Sequence, residues 1–241
     1  MNITGKTVLI TGANRGIGHA LVLEALRRGV KRVYAGTRSG IDIADERAVP
    51  VALDVTNDVQ IEQAGRKVGS LDAVINNSGI APYDDLSNTD VIEQALAVNF
   101  FGMYKVSRAF LPMLKRTRGA LVNNLSLMAL APLPLTPSYA ISKAAALSMT
   151  QSLRALLAGQ GVTVHGVFLG PVDTDMTRGF EIPKASPESV GQGIFDGLEN
   201  GEEDICPDPA SRSIADGWRN GVAKEFERQY AGFVPESAAV L

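Results

Sequence analysis

The stretch Thr11-Gly-Ala-Asn-Arg-Gly-Ile-Gly18 decides the fold of this 241-residue chain. It follows a short apolar run and opens a helical pattern at residues 17–28. In that context glycines let the backbone approach a phosphate closely, and the helix N-terminus adds N–H donors and positive potential. The spacing Gly-x3-Gly-x-Gly differs from the commoner Gly-x-Gly-x2-Gly. We interpret the stretch as the diphosphate cradle of a dinucleotide site rather than as an ordinary tight turn.

Short β-rich apolar runs alternate with longer helical patterns along the rest of the chain. Strands are predicted at residues 7–10, 32–35, 49–53, 73–75, 120–125, 162–168 and 204–206. Helices are predicted at residues 17–28, 59–68, 90–115, 137–158, 187–199 and 212–230. This alternation predicts an α/β fold, a doubly wound, Rossmann-like parallel sheet of about seven strands with helices on both faces. The segment 37–50 is too short for a full crossover helix.

We expect one dinucleotide-binding and catalytic domain over residues 1–241, with a short substrate loop at 175–187 and an extra C-terminal helix at 211–232. The formal net charge of −3 gives no sign of nucleic-acid binding. The single cysteine, Cys206, cannot form an internal disulfide, which fits a reducing cytoplasm. No apolar run has membrane-spanning length and no signal-peptide pattern opens the chain, so we expect a cytoplasmic protein without membrane contact. Neither histidine has ligands at metal-binding spacing, so no metal is expected.

A second stretch, Tyr139-Ala-Ile-Ser-Lys143, carries the chemistry. Tyrosine and lysine four positions apart share one face of a helix. A phenol has a pKa of about 10, and a nearby ammonium group favours the phenolate and lowers that value. The pair therefore predicts a proton donor and acceptor that works beside the nucleotide.

The end of the second predicted strand indicates which nucleotide is bound. A site that prefers NAD usually places an acidic residue there for the ribose 2′-hydroxyl. This chain has Thr37 and Arg38 instead, and Arg15 adds a second guanidinium from the glycine stretch. Either arginine alone would be read as a solvated surface residue. Together they suit a 2′-phosphate, because a guanidinium donates two hydrogen bonds to phosphate oxygens, and NADP(H) is the predicted cofactor.

In order and spacing, these motifs resemble the compact, single-domain short-chain dehydrogenase/reductase family over about residues 4–174, in particular its NADP-preferring carbonyl reductases. The residues that carry the resemblance are the glycine stretch at 11–18, Asp54-Val55, Asn76-Asn77-Ser78-Gly79, Asn99 in Val98-Asn99-Phe100, Ser126, the pair Tyr139 and Lys143, and Leu169-Gly170-Pro171-Val172-Asp173-Thr174. Serine replaces the alanine of the family's Asn-Asn-Ala-Gly motif, and Leu169 replaces a proline.

The resemblance implies four catalytic residues: Asn99, Ser126, Tyr139 and Lys143. Tyr139 would protonate the alkoxide in reduction or take the alcohol proton in oxidation. Lys143 would lower the pKa of that tyrosine and bind the nicotinamide ribose, while Ser126 would polarise the substrate carbonyl. Asn99 lies within a long helical pattern, where asparagine favours a bend that would free a carbonyl to hold a water near Lys143.

The same resemblance predicts which residues bind cofactor and substrate. Cofactor contacts are expected from Gly12, Asn14, Arg15, Gly16, Ile17, Gly18, Thr37, Arg38, Asp54, Val55, Asn77, Gly79, Tyr139, Lys143, Val172 and Thr174. Substrate contacts are expected from Tyr83, Met128 and Met176. Tyr83 and Met128 lie in apolar, proline-rich segments, so we expect an apolar pocket for an uncharged ketone or aldehyde.

The expected function is NADPH-dependent reduction of such a carbonyl to an alcohol. Two alternatives stay open from sequence: an NADP-dependent alcohol dehydrogenase that acts mainly in oxidation, and a non-catalytic dinucleotide sensor. The resemblance places the helices at 90–115 and 137–158 in a two-fold contact, and the second is apolar on more than one face, so a homodimer is expected. A tetramer is the alternative, because the C-terminal helix with Trp218, Phe226 and Tyr230 replaces the Gly-Gly tail that joins the second contact in many family members.

Overall fold

The computed structural model describes residues 1–233, and a seven-stranded parallel sheet forms its centre. The strands are β1 (Thr7–Thr11), β2 (Arg32–Thr37), β3 (Ala48–Ala52), β4 (Ala73–Asn76), β5 (Ala120–Asn124), β6 (Thr163–Val167) and β7 (Asp204–Ile205). Their order across the sheet is β3-β2-β1-β4-β5-β6-β7. The predicted doubly wound sheet is therefore confirmed. Residues 234–241 of the predicted domain lie outside the described part.

Helices cover both faces of the sheet. They are α1 (Gly16–Arg27), α2 (Asp58–Lys67), α3 (Thr89–Leu96), α4 (Met103–Thr117), α5 (Pro137–Leu157), α6 (Pro187–Glu199), α7 (Pro209–Arg219) and α8 (Val222–Ala231). α1 and α6 pack together on one face. α2, α4 and α5 supply the apolar core of the other face. Because both faces are covered, the central strands read as continuous apolar runs rather than alternating ones.

The connection from β2 to β3 lacks a helix, as its length predicts, and residues 38–47 run as irregular chain. β3 then forms the edge of the sheet, where Pro50 is tolerated because one side of an edge strand needs no hydrogen-bond partner. Nowhere in residues 1–233 is a helix both long and apolar enough to cross a bilayer.

Two predicted helices are each divided. The pattern at 90–115 was predicted as one helix with a bend at Asn99, and a π-helical segment, Ala97–Gly102, separates α3 from α4 at that place. The expected C-terminal helix is instead two helices, α7 and α8, because the chain turns at Asn220 and Gly221. Asparagine and glycine are common at helix ends because both tolerate conformations outside the helix.

A buried group of charges ties α8 to the sheet. The Nζ atom of Lys224 lies 2.9 Å from Asp204 and 3.0 Å from Glu203 and Glu227. Arg154 on α5 pairs with Asp204 at 2.8 Å and also with Glu227. Lys224, only 1% exposed, therefore lies where α5, β7 and α8 meet. We refer to these five residues as the Lys224 cluster.

Candidate active site

The loop between β1 and α1 can take a diphosphate only because it is built on glycine. A Cβ on Gly18 would lie 2.0 Å from the carbonyl oxygen of Gly12, which forbids any side chain there. Gly12 and Gly16 have φ of +65° and +51°, in the left-handed region that favours glycine. α1 has no side-chain cap at its N-terminus and no acidic residue in its first turn. Its first-turn N–H groups therefore suit an anionic phosphate.

The loop lies at the point where the strand order reverses, between β1 and β4. The Oγ1 atom of Thr11 accepts hydrogen bonds from the backbone N–H of Asn77 at 2.9 Å and of Ser78 at 3.0 Å. The Asn77 amide donates to the carbonyl of Thr11 at 3.0 Å. In open α/β sheets a ligand binds in the crevice beyond the carboxyl ends of the strands at this point. Asn77 and the glycine loop border that crevice together.

The predicted adenosine end of the crevice is more exposed. Thr37 is buried at the end of β2, whereas the Arg38 side chain is exposed. Asn14 donates to the hydroxyl of Ser39 at 3.1 Å and so joins the glycine loop to this strand end. The side-chain and backbone hydrogen bonds of Thr56 hold the pKa of Asp54 below its usual range, with a smaller contribution from Arg38. Asp54 therefore stays ionised and ordered beside the crevice.

Val55 and Val172 are buried next to residues that line the crevice. A Cβ on Gly102 would lie 2.7 Å from a Val55 methyl carbon, so Val55 packs closely against the π segment. The Thr174 methyl carbon lies 3.1 Å from the position of a Cβ on Gly16. The segment after β6 thus closes on the glycine loop.

Tyr139 and Lys143 lie on successive turns of α5, and both side chains are buried. The Nζ atom of Lys143 is 5.7 Å from the centre of the Tyr139 ring and donates to the Asn124 carbonyl at 2.7 Å. Ser126 follows β5, and its hydroxyl accepts from the Met128 N–H at 3.1 Å. It also forms a hydrogen bond with the Tyr139 hydroxyl. Three of the four predicted catalytic residues thus meet at one place.

The pKa of Tyr139 in this pair differs from the sequence prediction. Burial raises the pKa of the Tyr139 phenol, and the hydrogen bond with Ser126 acts in the opposite direction without reversing the shift. Burial lowers the pKa of Lys143 to about 8. The expectation that Lys143 lowers the Tyr139 pKa therefore does not hold in this structure, where the ammonium group bonds the Asn124 carbonyl instead. At neutral pH the phenol keeps its proton and most of the lysine is charged.

Asn99, the fourth predicted residue, is fully buried in the π segment. Its side chain accepts from the Ile80 N–H at 2.9 Å and donates to the Ile80 carbonyl at 2.8 Å and the Ser142 hydroxyl at 2.9 Å. The predicted bend is thus present, and the Asn99 side chain joins the loop after β4 to α5. A Cβ on Gly79 would lie 3.2 Å from Asn99 Oδ1 and 3.8 Å from Lys143 Nζ, so glycine leaves the room that both need.

Two supports of the site were not predicted from the sequence. Asp84 accepts from the Ser138 N–H at 3.3 Å and from the Ser138 hydroxyl, so it caps the first turn of α5 in place of Thr136. Behind the site, the Asn76 amide donates to Asn123 at 2.8 Å. In the sequence, the only sign of this buried hydrogen bond is that both β4 and β5 end in asparagine after an apolar run. The partner of Asp84 is 54 positions away and left no signal.

The three predicted substrate residues lie on three loops at the carboxyl edge of the sheet. Tyr83 is exposed, and its ring centre lies 5.9 Å from that of Phe180 in the segment after β6. Met128 Sδ lies 3.6 Å from the hydroxyl oxygen of Thr136. Met176 belongs to the short helical turn Asp175–Thr177 and is half exposed. That these residues contact a substrate stays a prediction.

Comparison with known proteins agrees with this geometry. Residues 6–184 match the model of the family described as short chain dehydrogenase. The chain is 34% identical to the short chain dehydrogenase tazN of Aspergillus terreus over 208 residues, 78% of this chain and 45% of that protein. It is 35% identical to estradiol 17-beta-dehydrogenase 2 of Mus musculus over 194 residues, 73% of this chain and 51% of that protein. This chain thus spans about half the length of both relatives.

Among solved structures, a short chain dehydrogenase from Burkholderia cenocepacia in complex with NADP is 33% identical. It superposes with a TM-score of 0.87 over 98% of this chain and 100% of that chain. The likeness therefore includes the glycine loop, α5 and the C-terminal helices α7 and α8.

Proposed function

Because this chain belongs to the short-chain dehydrogenase family, we propose that it is an oxidoreductase that uses NADP(H) to reduce an uncharged ketone or aldehyde to an alcohol. The observation that carries the proposal is the buried group of Ser126, Tyr139 and Lys143 beside an uncapped, glycine-lined helix N-terminus. An NADP-bound relative at 33% identity supports the cofactor. We further propose that one domain holds both cofactor and substrate.

The residues proposed to hold the cofactor surround the crevice at the carboxyl ends of β1, β2 and β4. They are Gly12, Asn14, Arg15, Gly16, Ile17, Gly18, Thr37, Arg38, Asp54, Val55, Asn77, Gly79, Lys143, Val172 and Thr174. When bound, NADPH supplies the hydride for the reduction. The protein supplies the proton and the fixed hydrogen-bond donors.

In the proposed mechanism, the Ser126 hydroxyl donates to the substrate carbonyl oxygen and stabilises the negative charge that develops there. Tyr139 then gives its phenolic proton to that oxygen. Lys143, held by the Asn124 carbonyl, is proposed to bind the nicotinamide ribose and so to position the cofactor beside Tyr139. Burial raises the pKa of Tyr139, so at neutral pH the phenol carries the proton that it gives to the substrate oxygen.

A direct test follows NADPH absorbance with the purified protein and a panel of aryl ketones and diketones. Consumption of NADPH that depends on the ketone supports the proposal. Oxidation of the matching alcohols with NADP measures the reverse reaction under the same conditions. Tight NADPH binding without turnover in either direction would instead support a sensor and contradict catalysis.

Arg38→Ala is expected to raise the Michaelis constant for NADPH about tenfold or more and to change that for NADH little. The guanidinium lies at the end of β2, where the 2′-phosphate is proposed to bind, and a hydrogen bond to a charged group contributes about 1.5–3 kcal/mol. Arg32→Ala, at the opposite end of the same strand, is the control and should leave both constants unchanged. An equal rise in the Michaelis constants for NADPH and NADH in the Arg38 variant would contradict this role.

We also propose a homodimer through α5 and the π segment. Phe101 and Ile141 are exposed apolar residues on these neighbouring elements. Gln151 and Arg154 contact Glu227 of α8, so α8 lies against the C-terminal half of α5 and does not cover Ile141. An isologous contact would bury this free apolar surface against its copy.

Light scattering is expected to give the mass of a dimer at micromolar concentration. Ile141→Glu should shift the protein toward monomer, because it places a carboxylate in the apolar contact. Leu23→Glu changes an equally exposed leucine on α1 and should leave the dimer intact. A monomeric wild-type protein would contradict the proposed assembly.

A further inference from the structure

A carboxylate after β6 holds a guanidinium that the proposed function assigns to the cofactor. Asp175 opens the turn Asp175–Thr177, and its Oδ2 atom lies 3.4 Å from Nη1 of Arg15. Arg15 is the residue directly before α1. The ion pair therefore joins the segment after β6 to the proposed phosphate cradle.

The backbone around Asp175 is fixed from both sides. Thr174 contacts the glycine loop, its methyl carbon lying 3.1 Å from the position of a Cβ on Gly16. The Thr177 hydroxyl donates to the Val172 carbonyl, and Lys184 donates to the Thr177 carbonyl at 2.8 Å. Asp175 is thus held within reach of Arg15, and side-chain rotation alone can make or break the pair.

The two guanidinium groups proposed for the 2′-phosphate, those of Arg15 and Arg38, differ in whether a carboxylate pairs with them. Arg15 pairs with Asp175, whose other oxygen pairs with Arg178. Arg38 forms no ion pair with any of residues 1–233. A guanidinium donates to carboxylate and phosphate through the same N–H groups. Asp175 thus occupies part of the donor set of Arg15 and offsets part of its charge, so a phosphate gains less from Arg15 than it would from an unpaired arginine.

We infer that Asp175 is a specificity-determining residue for the cofactor. Its carboxylate competes with the 2′-phosphate for Arg15 and thereby limits the preference for NADPH over NADH. The inference rests on the proposed function, because it takes Arg15 as a phosphate ligand. NADH, which has no 2′-phosphate, leaves the pair between Arg15 and Asp175 undisturbed.

The test compares nucleotide binding to the wild-type protein and to Asp175→Asn, which removes the charge and keeps the size. Titration of NADPH and NADH by nucleotide fluorescence gives the two Kd values without turnover. The ratio of the NADH Kd to the NADPH Kd is expected to rise about twofold to fivefold in Asp175→Asn, the scale of an exposed ion pair. The rise should diminish as salt is added, because salt screens exposed charges.

Two controls separate this competition from a general change in charge. Asp173→Asn removes a neighbouring exposed carboxylate that faces Lys184 at 4.0 Å rather than Arg15, and should leave the ratio unchanged. In an Arg15→Ala background, Asp175→Asn should also leave the ratio unchanged, because its effect passes through the Arg15 side chain.

The outcomes distinguish the inference from the function on which it rests. If the wild-type protein prefers NADPH but Asp175→Asn keeps the wild-type ratio, the inference is overturned and the proposed function stands. The same holds if Asp175→Asn raises the ratio equally with and without Arg15. A wild-type protein that binds NADH more tightly than NADPH would overturn both.

Discussion

Replacing Tyr139 with phenylalanine is expected to lower kcat at least about 100-fold while leaving NADPH binding nearly unchanged. The substitution removes only the hydroxyl, and with it the proton that the substrate oxygen needs. The ring keeps its buried place on the first turns of α5, so the fold and the crevice should be preserved. Steady-state kinetics with a ketone substrate, together with NADPH titration by fluorescence, measure the two effects separately.

Tyr104→Phe is the matched control for this prediction. Tyr104 lies on α4 and is half buried, and we assign it no part in catalysis. The same loss of a hydroxyl there should leave kcat within about twofold of the wild-type value. A folded Tyr139→Phe protein with nearly normal kcat would contradict the proposed mechanism, because no other group has been assigned to give that proton.

Lys224→Met is expected to reduce the free energy of unfolding by about 3–5 kcal/mol, the usual cost of removing one partner from a buried ion pair. The substitution leaves the carboxylates of Glu203, Asp204 and Glu227 close together around an apolar side chain. Arg154 still pairs with two of them but cannot neutralise all three. Urea denaturation at neutral pH, followed by tryptophan fluorescence, measures the change.

The pH dependence of this loss gives a second check. Burial raises the pKa of Asp204, but the charges of Arg154 and Lys224 outweigh it and lower the pKa on balance. A lowered carboxylate pKa contributes stability that is present above the unfolded-state value and is lost as pH falls. The difference in the free energy of unfolding between wild type and Lys224→Met should therefore narrow as pH falls below about 4, since protonated carboxylates no longer repel one another.

Lys67→Met removes an exposed lysine of α2 and serves as the control for Lys224→Met. Surface substitutions of this kind change stability by about 0.5 kcal/mol or less. A loss below about 1 kcal/mol in Lys224→Met would show that the Lys224 cluster contributes little to holding α8.

Local patterns were sufficient to predict most of the fold. Helix α6 was predicted at residues 187–199, where the structure has it, because Ser186 and Pro187 mark its start and apolar residues recur along one face. The strands were predicted to within one or two residues of their ends, since each is a short apolar run between polar turns. The sheet order and the crevice follow from the glycine loop and the family resemblance.

Features that depend on distant contacts were not predictable in the same way. The bend at Asn99 was predicted, but the hydrogen bonds of its side chain to Ile80 were not, because only the folded chain brings these residues together. The direction of the Tyr139 pKa shift was wrongly predicted, because spacing reveals proximity but not burial, and burial is the larger influence on this phenol. The Lys224 cluster likewise draws on three separate elements.

The π segment Ala97–Gly102 also sets the rotational phase of the helix that follows it. A π turn accommodates one residue more than a regular α-helical turn, and each residue of an α-helix turns the chain by about 100°. If the same residues instead wound as regular α-helix, every residue after the segment would be turned by about 100°. Val106, Phe110 and Leu114 would then turn away from the sheet, where all three are fully buried. The π segment therefore determines both the position of Asn99 in the candidate site and the packing of α4 on the sheet. A change that removes the π segment would disturb both.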